Sequence, residues 1–212
     1  MALTFADVKN EILSAINSDW RAGVLWTKLQ DKGAGYKDAH DYAIRVGAVT
    51  GKVLKKYQPE DLSDWNLEDL IPGTLGLSHN LVTAACTEAQ KNINKRAHVG
   101  IRPQVPEFDG NRAFGLVEAL KNRGRISPEF YDQLENFDQN VVDESIRVNA
   151  SKQSGAGMRP VIVRTAEAGC CKWCDDLAGV YDYEEVRDTG NPIWSRHDNC
   201  RCDIEFVADR RR

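Results

Sequence analysis

Several features that would decide the class of a chain early are missing here. No uninterrupted apolar stretch approaches the roughly 18 residues that a membrane-spanning helix needs, so no membrane contact is expected. Neither sign of charge dominates. The 212 residues carry 28 Lys and Arg against 32 Asp and Glu, a net charge of −4, and no global field draws the protein onto nucleic acid or an anionic bilayer. The opening Met1-Ala2-Leu3-Thr4-Phe5-Ala6-Asp7 has neither the basic start nor the apolar run of a secretion signal, which points to a protein made and used inside a cell or particle. Gly33-Ala34-Gly35 lacks the rest of any phosphate-binding loop, and no nucleophile elbow is present. No pair of carboxylates sits in the apolar setting that shifts an acid's pKa. The expectation is a protein that is not an enzyme and has no small-molecule substrate.

Cysteine is nearly absent until the last fifth of the chain. Cys86 stands alone, while Cys170, Cys171, Cys174, Cys200 and Cys202 crowd together. A framework of disulfides would spread its cysteines to staple loops, so the clustering argues for metal or redox chemistry instead.

What precedes the cluster reads as helix. Thr4 caps a first helix over residues 4–17, with Asp7 in its first turn and Phe5, Val8, Ile12 and Ile16 on one face. Asp19 caps a second carrying Trp20, Val24, Trp26 and Leu29, which ends near Gly33. Core packing is the plain reading of these aromatic residues, and a groove for a partner the sharper one. A third helix, 38–57, places Tyr42, Val46, Val49, Val53 and Tyr57 in register, with Gly47 and Gly51 marking close packing. Residues 58–76 mix Pro59, Pro72 and two glycines, and read as an irregular connection that could act as a hinge. A fourth helix follows on Leu81, Val82, Ala85, Ala89 and Ile93, and Pro103 and Pro106 interrupt the pattern after it. After a short helix over 111–122, Ser127-Pro128-Glu129 starts the best-marked helix of all, with Phe130, Leu134, Phe137, Val141, Ile146 and Val148 as its stripe.

From Pro160 the pattern changes. Val161-Ile162-Val163, Val180-Tyr181-Asp182-Tyr183 and Asp203-Ile204-Glu205-Phe206-Val207 read as three short strands framing the cysteines. Strands this short and this poor in apolar residues bury little by themselves and need a staple. The expected fold is α+β, a mainly α-helical body over 1–157 with a small zinc-stapled C-terminal β module over 158–212 that ends in a basic tail.

The staple is visible as Cys171-Lys172-Trp173-Cys174 and, after an interval, His197-Asp198-Asn199-Cys200-Arg201-Cys202. A Cys-x-x-Cys turn presents two sulfurs to one ion, and a tetrahedral site takes a second pair from elsewhere. Cys171 and Cys174 are the surest ligands. His197, Cys200 and Cys202 compete for the other two places, and the choice between His197 and Cys202 stays open. Sulfur donors favour zinc over magnesium or calcium, and a surplus of protein ligands suits a structural zinc rather than a catalytic one, which keeps a place for water. A disulfide or redox couple and unliganded thiols are the alternatives, but the βαβ setting of a redox Cys-x-x-Cys is not seen. Cys170, adjacent to Cys171, reads as packing, and Cys86 as a small core residue.

Cys-x-x-Cys, then Leu177-Ala178-Gly179-Val180-Tyr181, Pro192 and His197-Asp198-Asn199-Cys200-Arg201-Cys202 together resemble the C-terminal signature of tailed-phage minor head proteins of the Mu F-like family. The resemblance spans roughly residues 158–207. It implies a virion structural protein, present in few copies at the portal vertex or head interior, assembled in the host cytoplasm and linked to head assembly or DNA packaging and delivery. The partners it implies are the portal protein, the major capsid protein or both, and no fused effector domain is expected after the motif.

Two other readings compete. His197-Asp198-Asn199 after a Cys-x-x-Cys is superficially that of a His-Asn-His metal-dependent nuclease, which needs a general-base histidine beside a separate ion. The remaining histidines, His40, His79 and His98, fall far upstream on helices. A generic zinc-stapled protein- or nucleic-acid-binding module is the third reading. Arg196, Arg201 and Arg210-Arg211-Arg212 supply local positive charge, but Asp175, Asp176, Glu184, Glu185 and Asp188 offset it. At most weak, salt-sensitive contact with packaged DNA is expected.

Overall fold

The computed structural model describes residues 2–188, 190–197 and 200–209. The chain is α+β: six longer helices come first, and a small three-stranded antiparallel sheet follows near the C-terminus. The helices are α1 (Phe5–Ser18), α2 (Trp20–Leu29), α3 (Tyr36–Lys56), α4 (Leu67–Arg96), α5 (Gly110–Arg123) and α6 (Pro128–Gly155). Strand β1 (Arg159–Thr165) then leads through the short α7 (Lys172–Asp176) to β2 (Gly179–Asp182), α8 (Tyr183–Val186) and finally β3 (Asp203–Asp209).

Local chemistry explains where the helices begin. The Asp7 carboxylate accepts from the Thr4 N–H at 2.8 Å and from the Thr4 hydroxyl at 2.6 Å, which satisfies donors that the first turn of α1 leaves unpaired. Asp19 accepts from the Ala22 N–H at 2.9 Å and starts α2. The same carboxylate takes a bidentate pair from Arg45 of α3, so one cap also ties two helices together.

Helices α3 and α6 lie at the centre. They come close together at Gly47, where an added Cβ would fall 2.7 Å from the Glu135 Cα. Only glycine fits there, and the close approach lets Val46, Val49, Val53, Phe130, Leu134 and Phe137 share one core with α1 and α4.

Two expectations are corrected. The irregular connection after α3 is shorter than the prolines suggested, because α4 begins at Leu67 and runs through Pro72 as helix. Pro72 lies only a turn and a half into α4 and costs a single backbone hydrogen bond. Burial of Leu67, Leu70, Ile71 and Leu75 outweighs that loss. Phe5 packs on Gly73, and the Phe5 N–H donates to Asp69 at 2.7 Å, so α1 clamps this first stretch of α4. In α2 the buried residues are Ala22 and Leu29, while Trp20 and Val24 are 70% and 57% exposed. Of the stripe expected on this helix Trp20 and Val24 face outward, while Leu29 is buried and Trp26 turns partly in, its ring 5.7 Å from that of Tyr42.

In the sheet β1 is central, in the order β2-β1-β3, with Ile162 opposite Phe206 and Arg164 opposite Ile204. Ile162, Ile204 and Phe206 join Tyr183, Val186, Ile193 and Trp194 in the same apolar core as α3 and α6. The change at 157/158 is thus one of secondary structure, and the core runs across it. Among the described residues, no helix is long and apolar enough to cross a membrane.

Candidate metal centre

The cysteine cluster forms where two chain segments return to one end of the sheet. Beyond β1 the chain turns at Gly169, whose φ of +81° is left-handed, and delivers Cys171 just before α7 and Cys174 within it. The second segment follows a 3-10 turn at Pro192–Trp194 and carries Arg196, His197, Cys200 and Cys202 into β3, with the Cys200 N–H donating to the His197 carbonyl at 3.1 Å. Trp194 anchors this segment by donating its indole N–H to the Val186 carbonyl at 2.6 Å.

All five expected ligands converge. Donor atoms of Cys171, Cys174 and His197 lie within 4.8 Å of one another, as do those of Cys174, Cys200 and Cys202, so Cys174 belongs to both groups. His197 Nε2 is 3.1 Å from the Cys174 sulfur and 3.4 Å from that of Cys171, and the Cys174 and Cys200 sulfurs are 3.9 Å apart. Ligands of a tetrahedral zinc, at about 2.0–2.3 Å from the ion, stand roughly 3.5–3.8 Å from each other. The observed 3.1, 3.4 and 3.9 Å scatter about that range, and no four of the five donor atoms all lie within 4.8 Å of one another, so an ion would have to draw the two groups together; 3.9 Å is far beyond a disulfide bond. All six cysteines are free thiols. Cys170 packs against the buried trio of Cys174, Cys200 and Cys202, and Cys86 is buried in the helical core, where desolvation pushes its thiol up to about 12.

Without an ion, the electrostatics favour a neutral Cys174 thiol. Burial, followed by the neighbouring thiols of Cys202, Cys200 and Cys171, pushes the Cys174 thiol far up, because several sulfurs in one dry place cannot all ionise unaided. A divalent ion reverses this balance, since it binds the thiolate form and releases the protons. Beside the sulfurs a cavity of about 190 Å³ opens, bordered by Cys171, Cys174, His197, Arg201 and Cys202.

No family model, curated protein or solved structure matches the chain at a significant level.

Two of the arginines read above as local positive charge are paired with acidic residues. The Arg196 side chain is only 3% exposed and makes a bidentate pair with the equally buried Asp143 of α6, Nε to Oδ2 at 2.6 Å and Nη2 to Oδ1 at 2.9 Å. Arg201 pairs with Glu135 at 2.6 Å. Burial alone would raise the Asp143 carboxyl, but Arg196 and His40 outweigh it and hold that group well below the ordinary carboxylate range. Asp198, Asn199 and the tail Arg210-Arg211-Arg212 lie outside the described residues.

Sequence reasoning missed this buried polar seam. Its signal was present in α6, where Gln139 and Asp143 fall four residues apart between the apolar Phe137, Val142 and Ile146. Polar side chains on an otherwise buried face must find partners, and here the partner is Arg196.

Proposed function

We propose that the chain is a structural protein whose C-terminal sheet is held by one zinc ion bound to Cys171, Cys174, His197 and Cys200, with Cys202 as a buried neighbour. The observation that carries this reading is the convergence of thiols and an imidazole from two distant segments, linked by separations of 3.1, 3.4 and 3.9 Å. Sulfur donors with one imidazole suit zinc. Four protein ligands leave no place for a bound water, so the ion would have a structural role.

The resemblance of the Cys-x-x-Cys and His-x-Asn-Cys-Arg-Cys halves to the Mu F-like signature supports a place in the head of a tailed phage, as a minor protein of the portal vertex or head interior. Portal and capsid proteins are the proposed partners. The nuclease reading is disfavoured by His197, whose Nε2 faces two sulfurs instead of a position from which to deprotonate water.

Metal analysis of the full-length chain tests the first part. One zinc per chain, lost in Cys174→Ser, is expected, and a metal-free wild type would remove the staple. Peptide mass spectrometry of purified particles tests the second. The chain is expected at low copy number, and its absence from particles would end the head-protein reading.

A further inference from the structure

We infer that Arg196 is a positioning residue of the metal centre, which ties the Cys200 sulfur and the Cys202 backbone to helices α3 and α6, so that metal binding and docking of the sheet on the helical body form one coupled event. The inference rests on the proposed metal site and extends it to residues of the body that ligate nothing.

The geometry is that of a guanidinium used on every edge. From α6, Asp143 accepts from Nε at 2.6 Å and from Nη2 at 2.9 Å, and Gln139 Oε1 accepts from Nη1 at 3.1 Å. From α3, the ring of His40 lies against Nη2, with Nε2 at 3.3 Å. The same Nη1 also donates to the Cys202 carbonyl at 2.7 Å and lies 3.8 Å from the Cys200 sulfur. Arginine has five N–H donors in a rigid fork, and such a fork cannot shift toward one side without losing partners on the other.

Two chemical consequences follow. A zinc bound by three thiolates and one imidazole carries a net negative charge, and an N–H directed at one of those sulfurs withdraws charge from it. The carbonyl contact fixes the turn between Cys200 and β3, so the sulfur is presented in one orientation before the ion arrives. Asp143 in turn holds Arg196 in place, and removing either partner alone leaves a buried charge without its counterion.

The test uses the full-length chain titrated with Co²⁺, whose thiolate-to-metal charge-transfer band reports sulfur ligation, with affinity read by competition against a chromophoric chelator. Two variants are compared with wild type: Arg196→Lys, and Asp143→Leu combined with Arg196→Met. The double variant removes both charges at once, a replacement that buried ion pairs often tolerate. Wild type is expected to show the band. Both variants are expected to keep their helical circular dichroism, bind about 10- to 100-fold more weakly, and move the band to longer wavelength, because a sulfur without its N–H partner gives up charge more easily. A residue acting only in packing would lower the melting temperature and leave the band where it was. If the double variant does not fold, Arg196→Lys decides alone by the same criteria. Variants with wild-type affinity and an unshifted band overturn the role of Arg196 while the metal site stands. A wild type without the band overturns the metal site and this inference with it.

Discussion

The two ends of helix α6 are built differently. Toward its start, Phe130, Leu134 and Phe137 pack with apolar residues of α1, α3 and α4, and the ring of Phe130 meets those of Trp65 and Tyr131 at 6.3 and 5.3 Å. Further along, Gln139, Asp143, Ser145 and Asn149 are just as buried but spend their capacity on hydrogen bonds. Asp143 faces Arg196, and Asn149 donates to the Gln104 and Ser145 carbonyls at 2.9 and 2.7 Å. The apolar end is a surface that any well-shaped hydrophobic neighbour could cover, whereas the polar end accepts only a segment that brings the matching groups. The helical body is held by burial together with buried hydrogen bonds of its own, and the cysteine module is held to it by burial together with the pairing of Arg196 with Asp143 and Gln139.

Breaking that pairing should have the largest effect. Asp143→Ala leaves the Arg196 guanidinium buried without its carboxylate, and a loss of about 3–5 kcal/mol is expected in urea unfolding. Phe130→Ala, in the apolar end, is expected to cost a similar ~3–5 kcal/mol. The two differ in their response to metal: chelation should lower the stability of wild type and of Phe130→Ala by equal amounts, and that of Asp143→Ala by less. Equal responses in all three would dissolve the distinction between the two ends.

Gly47→Ala sharpens the comparison from within the body. Its Cβ would press on the Glu135 backbone and force α3 and α6 apart, for an expected cost of about 1–3 kcal/mol in the same unfolding assay. A variant as stable as wild type would show that the interhelical contact yields freely.

The smallest effect concerns acid. Arg45 holds the Asp19 carboxyl at about 2, below its ordinary 3.8. A group depressed on folding stabilises the folded state fully above its unfolded pKa and loses that contribution as pH falls, here between about pH 4 and pH 2. Asp19→Asn should flatten this part of the melting-temperature profile by lowering the neutral range toward the acid value, with little change near pH 2. An unchanged acid slope would show that the Arg45 pair contributes nothing.

Much of the fold was legible because helix periodicity and capping residues act locally. Thr4, Asp19 and Ser127 mark three helix starts within a residue, and the three strands fall where Val161, Val180 and Ile204 place them. The converging ligands were legible as well, since the spacing of Cys171, Cys174, His197, Cys200 and Cys202 carries its own geometry. What escaped was non-local. Pro72 reads as a breaker until Phe5 is seen packing on the next residue. Trp20 reads as core until α2 is seen to turn Ala22 and Leu29 inward instead. Arg196 reads as a surface cation because its partners, His40 and Asp143, lie more than fifty residues away in sequence.

The most direct test of the central claim is X-ray absorption at the zinc edge on the full-length chain purified with its native metal. One zinc per chain is expected, with three sulfurs near 2.3 Å and one nitrogen near 2.0 Å, roughly the distances of structural zinc sites. A shell of oxygen and nitrogen without sulfur, or no stoichiometric zinc, would contradict it.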